Sequence, residues 1–147
     1  MKQIAILVSL LIAPSLVALA TGGDVAYAGR LGLALVFAFA ALGHFIKTDA
    51  MAEMLPPSVP QRRALIRVSG VFELALAILV LYLPNSRLVG LTIIGFLIAV
   101  FPSNIYAAVR RIEFGGHSAG PRYLFVRAPL QLLLILWTYW FVLRGGS

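Results

Sequence analysis

Residues 68–83 read Val-Ser-Gly-Val-Phe-Glu-Leu-Ala-Leu-Ala-Ile-Leu-Val-Leu-Tyr-Leu, with Glu73 the only charge. Polar and apolar residues do not alternate here, as they would along a membrane β-barrel strand. The stretch reads as a membrane-spanning helix. Outward from it lie four similar segments: Ile4–Ala20, Leu31–Phe45 (which can begin near Val25), Leu88–Val109 and Ala128–Leu143. Their lengths bracket the roughly 20 residues that cross a ~30 Å hydrocarbon core, and flanking residues can extend the shorter ones by snorkelling.

Composition agrees with five such segments. Hydrophobic residues are 61% of the 147 and charged residues 12%, against about 45–50% and about 25% in soluble domains. A chain of this size buries under about 70% of its surface when folding alone. Too much apolar surface would face water, which excludes a soluble globular protein, and the same hydrophobicity excludes a disordered one. The net charge of +7 does not indicate nucleic-acid binding. The basic residues sit between apolar segments, without exposed aromatics among them, and act as topology signals and lipid-headgroup contacts. There is no cysteine, which excludes dithiol–disulfide relays, iron–sulfur ligation and c-type haem attachment.

Orientation follows from the basic residues. With five spans, one face receives Lys2, Lys47, Arg62, Arg63, Arg67, Arg110, Arg111, Arg122 and Arg127, and the other Arg30, Arg87 and Arg144. The positive-inside rule puts the N-terminus and both longer loops in the cytoplasm and the C-terminus outside. The first segment also fits a signal peptide, since Lys2 and an apolar core precede Ala18-Leu19-Ala20. The reading adopted keeps it as a span kinked at Pro14. The expected division is an N-terminal hydrophobic segment, residues 1–25, and a membrane domain, residues 26–147. In the loop after the second span, Thr48 or Asp49 is expected to cap a short helix over 50–54, ended by Pro56-Pro57. Ser58-Val59-Pro60-Gln61 reads as a capping box for a helix running to about Leu83. The last loop, Glu113–Arg122, holds Gly115-Gly116 and Gly120-Pro121 and is expected to be flexible.

Polar side chains inside spans are costly and mark candidate sites. They are His44, Glu73, Asn104 and Gln131, with Arg127 at the start of the last span. Depths follow from 1.5 Å per helical residue. His44 lies roughly 4–5 Å inside the boundary marked by Lys47, Glu73 about 9 Å beyond Arg67, Asn104 about 9 Å before Arg110 and Gln131 about 6 Å beyond Arg127. Four helices therefore place polar groups at one level. Glu73 shares a helix face with Ser69, Gly70 and Ala77, small residues that admit another helix. Arg67 lies about 240° around that helix, so Glu73 is expected to meet Arg127 or His44 instead. Gln131 and Asn104 also fit simple interhelical hydrogen bonding, and His44 a position at the interface. Trp137, Tyr139 and Trp140 fit an aromatic belt. Pro102 frees a backbone carbonyl that something must satisfy. No HExxH, CxxC, GxGxxG or P-loop occurs. No metal site is expected, and no catalytic residue can be assigned.

Gly43-His44-Phe45, then Pro56-Pro57 and Pro60, then Ser69-Gly70-Val71-Phe72-Glu73-Leu74 form a series with further members. Pro84, Arg87, Val100-Phe101-Pro102-Ser103-Asn104-Ile105-Tyr106, Arg127-Ala128-Pro129-Leu130-Gln131 and Trp137 continue it in order. Over about residues 30–143 the chain resembles the DoxX-like family of small membrane proteins. The resemblance implies an all-α, four-helix transmembrane bundle, here with an additional N-terminal hydrophobic helix. The wider DoxX group includes a small subunit of a quinone-linked thiosulfate oxidoreductase, while the DoxX-like branch has no firmly assigned activity. The expected function is a subunit of a bacterial-type cytoplasmic membrane that binds a quinone-like or other amphipathic ligand and supports a redox partner protein. Its ligand would meet His44, Glu73, Asn104, Arg127 and Gln131. The alternative is a non-catalytic assembly protein or a small-solute or proton pathway. Lipids are expected partners, and a homo-oligomer is compatible with either reading.

Overall fold

Asp24 fixes the start of the most buried of the long helices: its carboxylate accepts from the amides of Ala26 at 2.9 Å and Tyr27 at 3.1 Å, the usual role of an N-cap side chain. The computed structural model describes residues 2–114, 117, 118 and 120–144. The helices are α1 (Lys2–Thr21), α2 (Val25–Ile46), α3 (Thr48–Glu53), α4 (Arg62–Tyr82), α5 (Arg87–Val109) and α6 (Pro121–Thr138), and α6 continues as a π-helix over Tyr139–Leu143. Between α5 and α6 a two-residue antiparallel pairing joins Glu113–Phe114 to His117–Ser118. Gly115 and Gly116, expected in a flexible loop, lie outside the described residues. All helices but α3 are long and apolar enough to cross a membrane, the last of these spans running Arg122–Leu143. The chain is a multi-pass helical membrane protein.

Three local expectations are corrected. Ser58 caps nothing: α4 starts at Arg62, after Gln61 at φ 50°. A capping box would need Val59 helical, but the ring of Pro60 disfavours that conformation in the residue before it. Thr48 does not cap α3 either. Its hydroxyl donates backwards to the carbonyls of His44 at 2.7 Å and Phe45 at 3.1 Å, closing the end of α2. The helix of the last span begins at Pro121 and not at Ala128, because proline suits the first helical turn, and Arg122 and Arg127 hide that start from a hydropathy reading. Arg127 is therefore inside a helix.

α2 is the central element. It packs along α4 and α1, and against α6 and the π-helix, while α5 packs on α6. Three glycines of these helices set the distances. At Gly32 a Cβ would collide with the Leu11 carbonyl of α1, and at Gly29 with the Phe141 ring. At Gly70 of α4 it would lie 2.8 Å from His44 Cβ. Small residues at such contacts let backbones approach where lipid supplies no hydrophobic drive between helices. Leu11, Leu33, Val80, Ile93 and Val142 are fully buried at the centre, while Val68, Ile78, Leu91, Ile98 and Leu132 are exposed. This is the distribution of a bundle whose outer surface meets acyl chains.

Trp137, expected in the aromatic belt, is only partly exposed, and its indole N–H donates to the Gly29 carbonyl at 2.9 Å. Arg30, expected among the topology signals of the outer face, lies inside α2 with 8% exposure. Its Nε has no hydrogen-bond partner among the described residues.

Candidate functional site

The polar groups gather at the end of the bundle where α1, α4 and α6 begin and α2 and α5 finish. Gly70 brings α4 against α2, so that Glu73, one turn further, meets His44. The two side chains approach to 3.1 Å between Nδ1 and Oε2. Nδ1 is also 2.9 Å from the Ala40 carbonyl. A carbonyl only accepts, so Nδ1 carries a proton and donates it. The Ala40 contact has hydrogen-bond geometry, while Oε2 of Glu73 is buried with no hydrogen-bond partner among the described residues. The contact to Glu73 is therefore mainly electrostatic. Arg67 is exposed.

Beside this pair is a cavity of about 530 Å³, within the range of sites for small ligands. His44, Glu73, Asn104 and Arg127 all line it, together with Ser69 and Ser103. Phe39, Phe96 and Val100 supply apolar wall. Met51, Met54 and Leu55 cover it from α3 and the segment after it. Arg62 holds that cover, donating to the carbonyls of Ala52 at 3.5 Å and Leu55 at 3.3 Å. An arginine read from sequence as a topology marker thus also shapes the site.

Arg127 reaches the cavity from α6 and forms no ion pair with Glu73. Its guanidinium carbon lies 5.1 Å from the centre of the Tyr123 ring, one turn earlier on the same helix. Its Nε has no hydrogen-bond partner among the described residues. Gln131 does not line the cavity; its side-chain amide donates to the Leu97 carbonyl of α5. In a helix, Pro102 frees the carbonyl of residue 98, so Gln131 takes the carbonyl immediately before the freed one. Asn104 lines the cavity, and no side-chain hydrogen bond joins it to the described residues. No group of three or more His, Cys, Asp or Glu that could hold a metal occurs among the described residues.

Sequence reasoning missed Tyr123 and the α3 cover. Tyr123 could have been found from its position four residues before Arg127, on the same helical face. The cover had no local signal, because Met51 and Met54 are ordinary apolar residues until α3 folds back. A larger groove, about 810 Å³, runs between α1 and α2. Its lining is almost wholly apolar, and it lacks the convergent polar groups of the smaller cavity.

Residues 33–142 match the family described as Domain of unknown function (DUF8561). The chain belongs to this family. The matched span starts inside α2 and ends in the π-helix, so it contains His44, Glu73, Asn104, Arg127 and Gln131 and leaves α1 outside. No curated protein and no solved structure matches the chain.

Proposed function

We propose that the protein is a small subunit of a bacterial-type cytoplasmic membrane that holds an amphipathic, quinone-like ligand in the cavity beside Glu73 and presents it to a redox partner protein. One observation carries the reading: Glu73 Oε2 and Arg127 Nε, both buried without a hydrogen-bond partner among the described residues, belong to side chains that line, with Asn104, a single cavity whose walls are mostly apolar. Buried polar groups without partners are costly, and a headgroup supplying them would recover that cost. A quinone-like head suits the donors Arg127 and Asn104, and its tail suits Phe39, Phe96 and Val100. The likeness of these residues to DoxX-like proteins supports a site at this position without naming its ligand. With no redox centre in the chain's own side chains, electrons would pass to or from the partner.

The excess of Lys and Arg at the cavity end supports a cytoplasmic N-terminus. A through-path for protons or solutes is less favoured. Beyond Phe96 the bundle is filled by Leu33, Val80 and Ile93, all fully buried, so the cavity ends blindly. The test is delipidated protein titrated with decylbenzoquinone. A thermal shift that saturates and disappears in Arg127→Gln is expected. No shift, together with no quinone in the lipid extract of the native preparation, overturns the reading.

A further inference from the structure

We propose that the cavity selects the hydroxyl-bearing form of its ligand, a hydroquinone or another phenol, over the carbonyl-only oxidised form. The inference rests on the cavity being a headgroup site, and it deepens that reading from the balance of donors and acceptors around it. On the α2–α4 side the imidazole and carboxylate capacity is accepting, and the Ser69 hydroxyl, which also lines the cavity, can donate or accept. His44 spends its Nδ1 proton on the Ala40 carbonyl at 2.9 Å. In the neutral ring Nε2 is then an acceptor, and no hydrogen bond to the described residues engages it. Glu73 Oε2 beside it is buried and has no donor directed at it. On the α5–α6 side the free capacity is donating, from the Arg127 Nε–H, with the Asn104 amide able to do either.

A quinone head offers only acceptors. It would satisfy Arg127 and leave the carboxylate oxygen of Glu73 facing another oxygen. A hydroquinone offers an O–H to Glu73 or His44 and an oxygen lone pair to Arg127 at the same time. Hydrogen bonds to charged groups are stronger than neutral ones, and an unmatched buried acceptor costs free energy outright. Both effects favour the same form of the ligand. No electron transfer is needed for the preference, so it holds equally for a redox-inert phenol.

The experiment uses the full chain in lipid nanodiscs and two matched pairs of probes: decylbenzoquinone with its dithionite-reduced hydroquinone, and 4-decylphenol with its O-methyl ether. The hydroxyl-bearing member of each pair should bind about tenfold tighter, the ratio that ~1.4 kcal/mol gives. In Glu73→Gln, whose amide can itself donate, both ratios should fall to near unity while binding of the carbonyl and ether forms persists. His44→Gln is the second variant should Glu73→Gln not fold, and it should reduce the same ratios. Equal affinities within each pair for the wild type, or tighter binding of the quinone, would overturn the inference and leave the headgroup site standing. Failure of all four probes to bind would overturn the proposed function itself.

Discussion

His44 Nδ1 lies 3.1 Å from Glu73 Oε2, across the contact that Gly70 makes possible between α2 and α4. The pair is a consequence of backbone proximity: a glycine removes the Cβ that would hold the helices apart, and the two polar side chains flanking it then meet. Glu73 forms no ion pair with Arg127, which lines the same cavity from α6. The rest of the site follows from this choice of partner.

Gly70→Ala should therefore disturb more than packing. The new Cβ would stand 2.8 Å from His44 Cβ and 3.3 Å from the Ala41 carbonyl. Overpacking of this kind costs about 1–3 kcal/mol, so the melting temperature in detergent should fall. Unchanged melting would mean that α2 and α4 are not in close contact at this level.

The coupling between positions 44 and 73 should exceed that between 73 and 127. Removing one member of a buried polar contact leaves the other unpartnered at a cost of about 1–3 kcal/mol, while removing both recovers part of the loss. A double-mutant cycle with His44→Gln and Glu73→Gln should show this recovery in unfolding free energy. The cycle with Arg127→Gln and Glu73→Gln should show little. The opposite ranking would place the carboxylate with Arg127.

Trp137→Phe should lower stability by about 0.5–1.5 kcal/mol, because the Gly29 carbonyl loses the indole donor that reaches it at 2.9 Å and keeps only its intrahelical bond. A residue acting only in an interfacial belt would tolerate phenylalanine with little change. Thermal unfolding in a fixed detergent distinguishes the two roles.

Arg30→Met should be neutral or stabilising. The arginine is buried inside α2, and its Nε lacks a partner. Methionine keeps an apolar stem of similar length without the desolvated charge. A large loss of stability would show that Arg30 is engaged by a lipid phosphate or another chain in the membrane.

The spans were legible because a bilayer demands long apolar helices, and a run such as residues 68–83 serves no other common purpose. The level of His44, Glu73 and Asn104 was legible too, since rise per residue from the nearest basic residue gives depth without any knowledge of packing. Partner choice was legible only down to two candidates. Rotation about α4 rejected Arg67, but deciding between His44 and Arg127 needs the relative placement of three helices. Arg127 was placed too near a helix end because Arg122 and Arg127 bracket the short apolar run Leu124-Phe125-Val126, and hydropathy sees long apolar runs and not helices. Trp137 was misread for a related reason: an aromatic near the end of a span looks the same whether it faces headgroups or a glycine on the next helix. The capping box at Ser58 failed because Val59 must satisfy Pro60 before it can satisfy a helix.

The account stands most directly on occupancy of the cavity beside Glu73. Native mass spectrometry of the protein released from its own membrane, compared with Val100→Trp, tests this. Val100 lines the cavity, and a tryptophan there would fill much of it. The wild type should carry a small amphiphile bound at one per chain, and the folded variant should have lost it. A wild type that carries only the bulk lipids found equally on Val100→Trp would contradict the claim that these polar residues form a binding site.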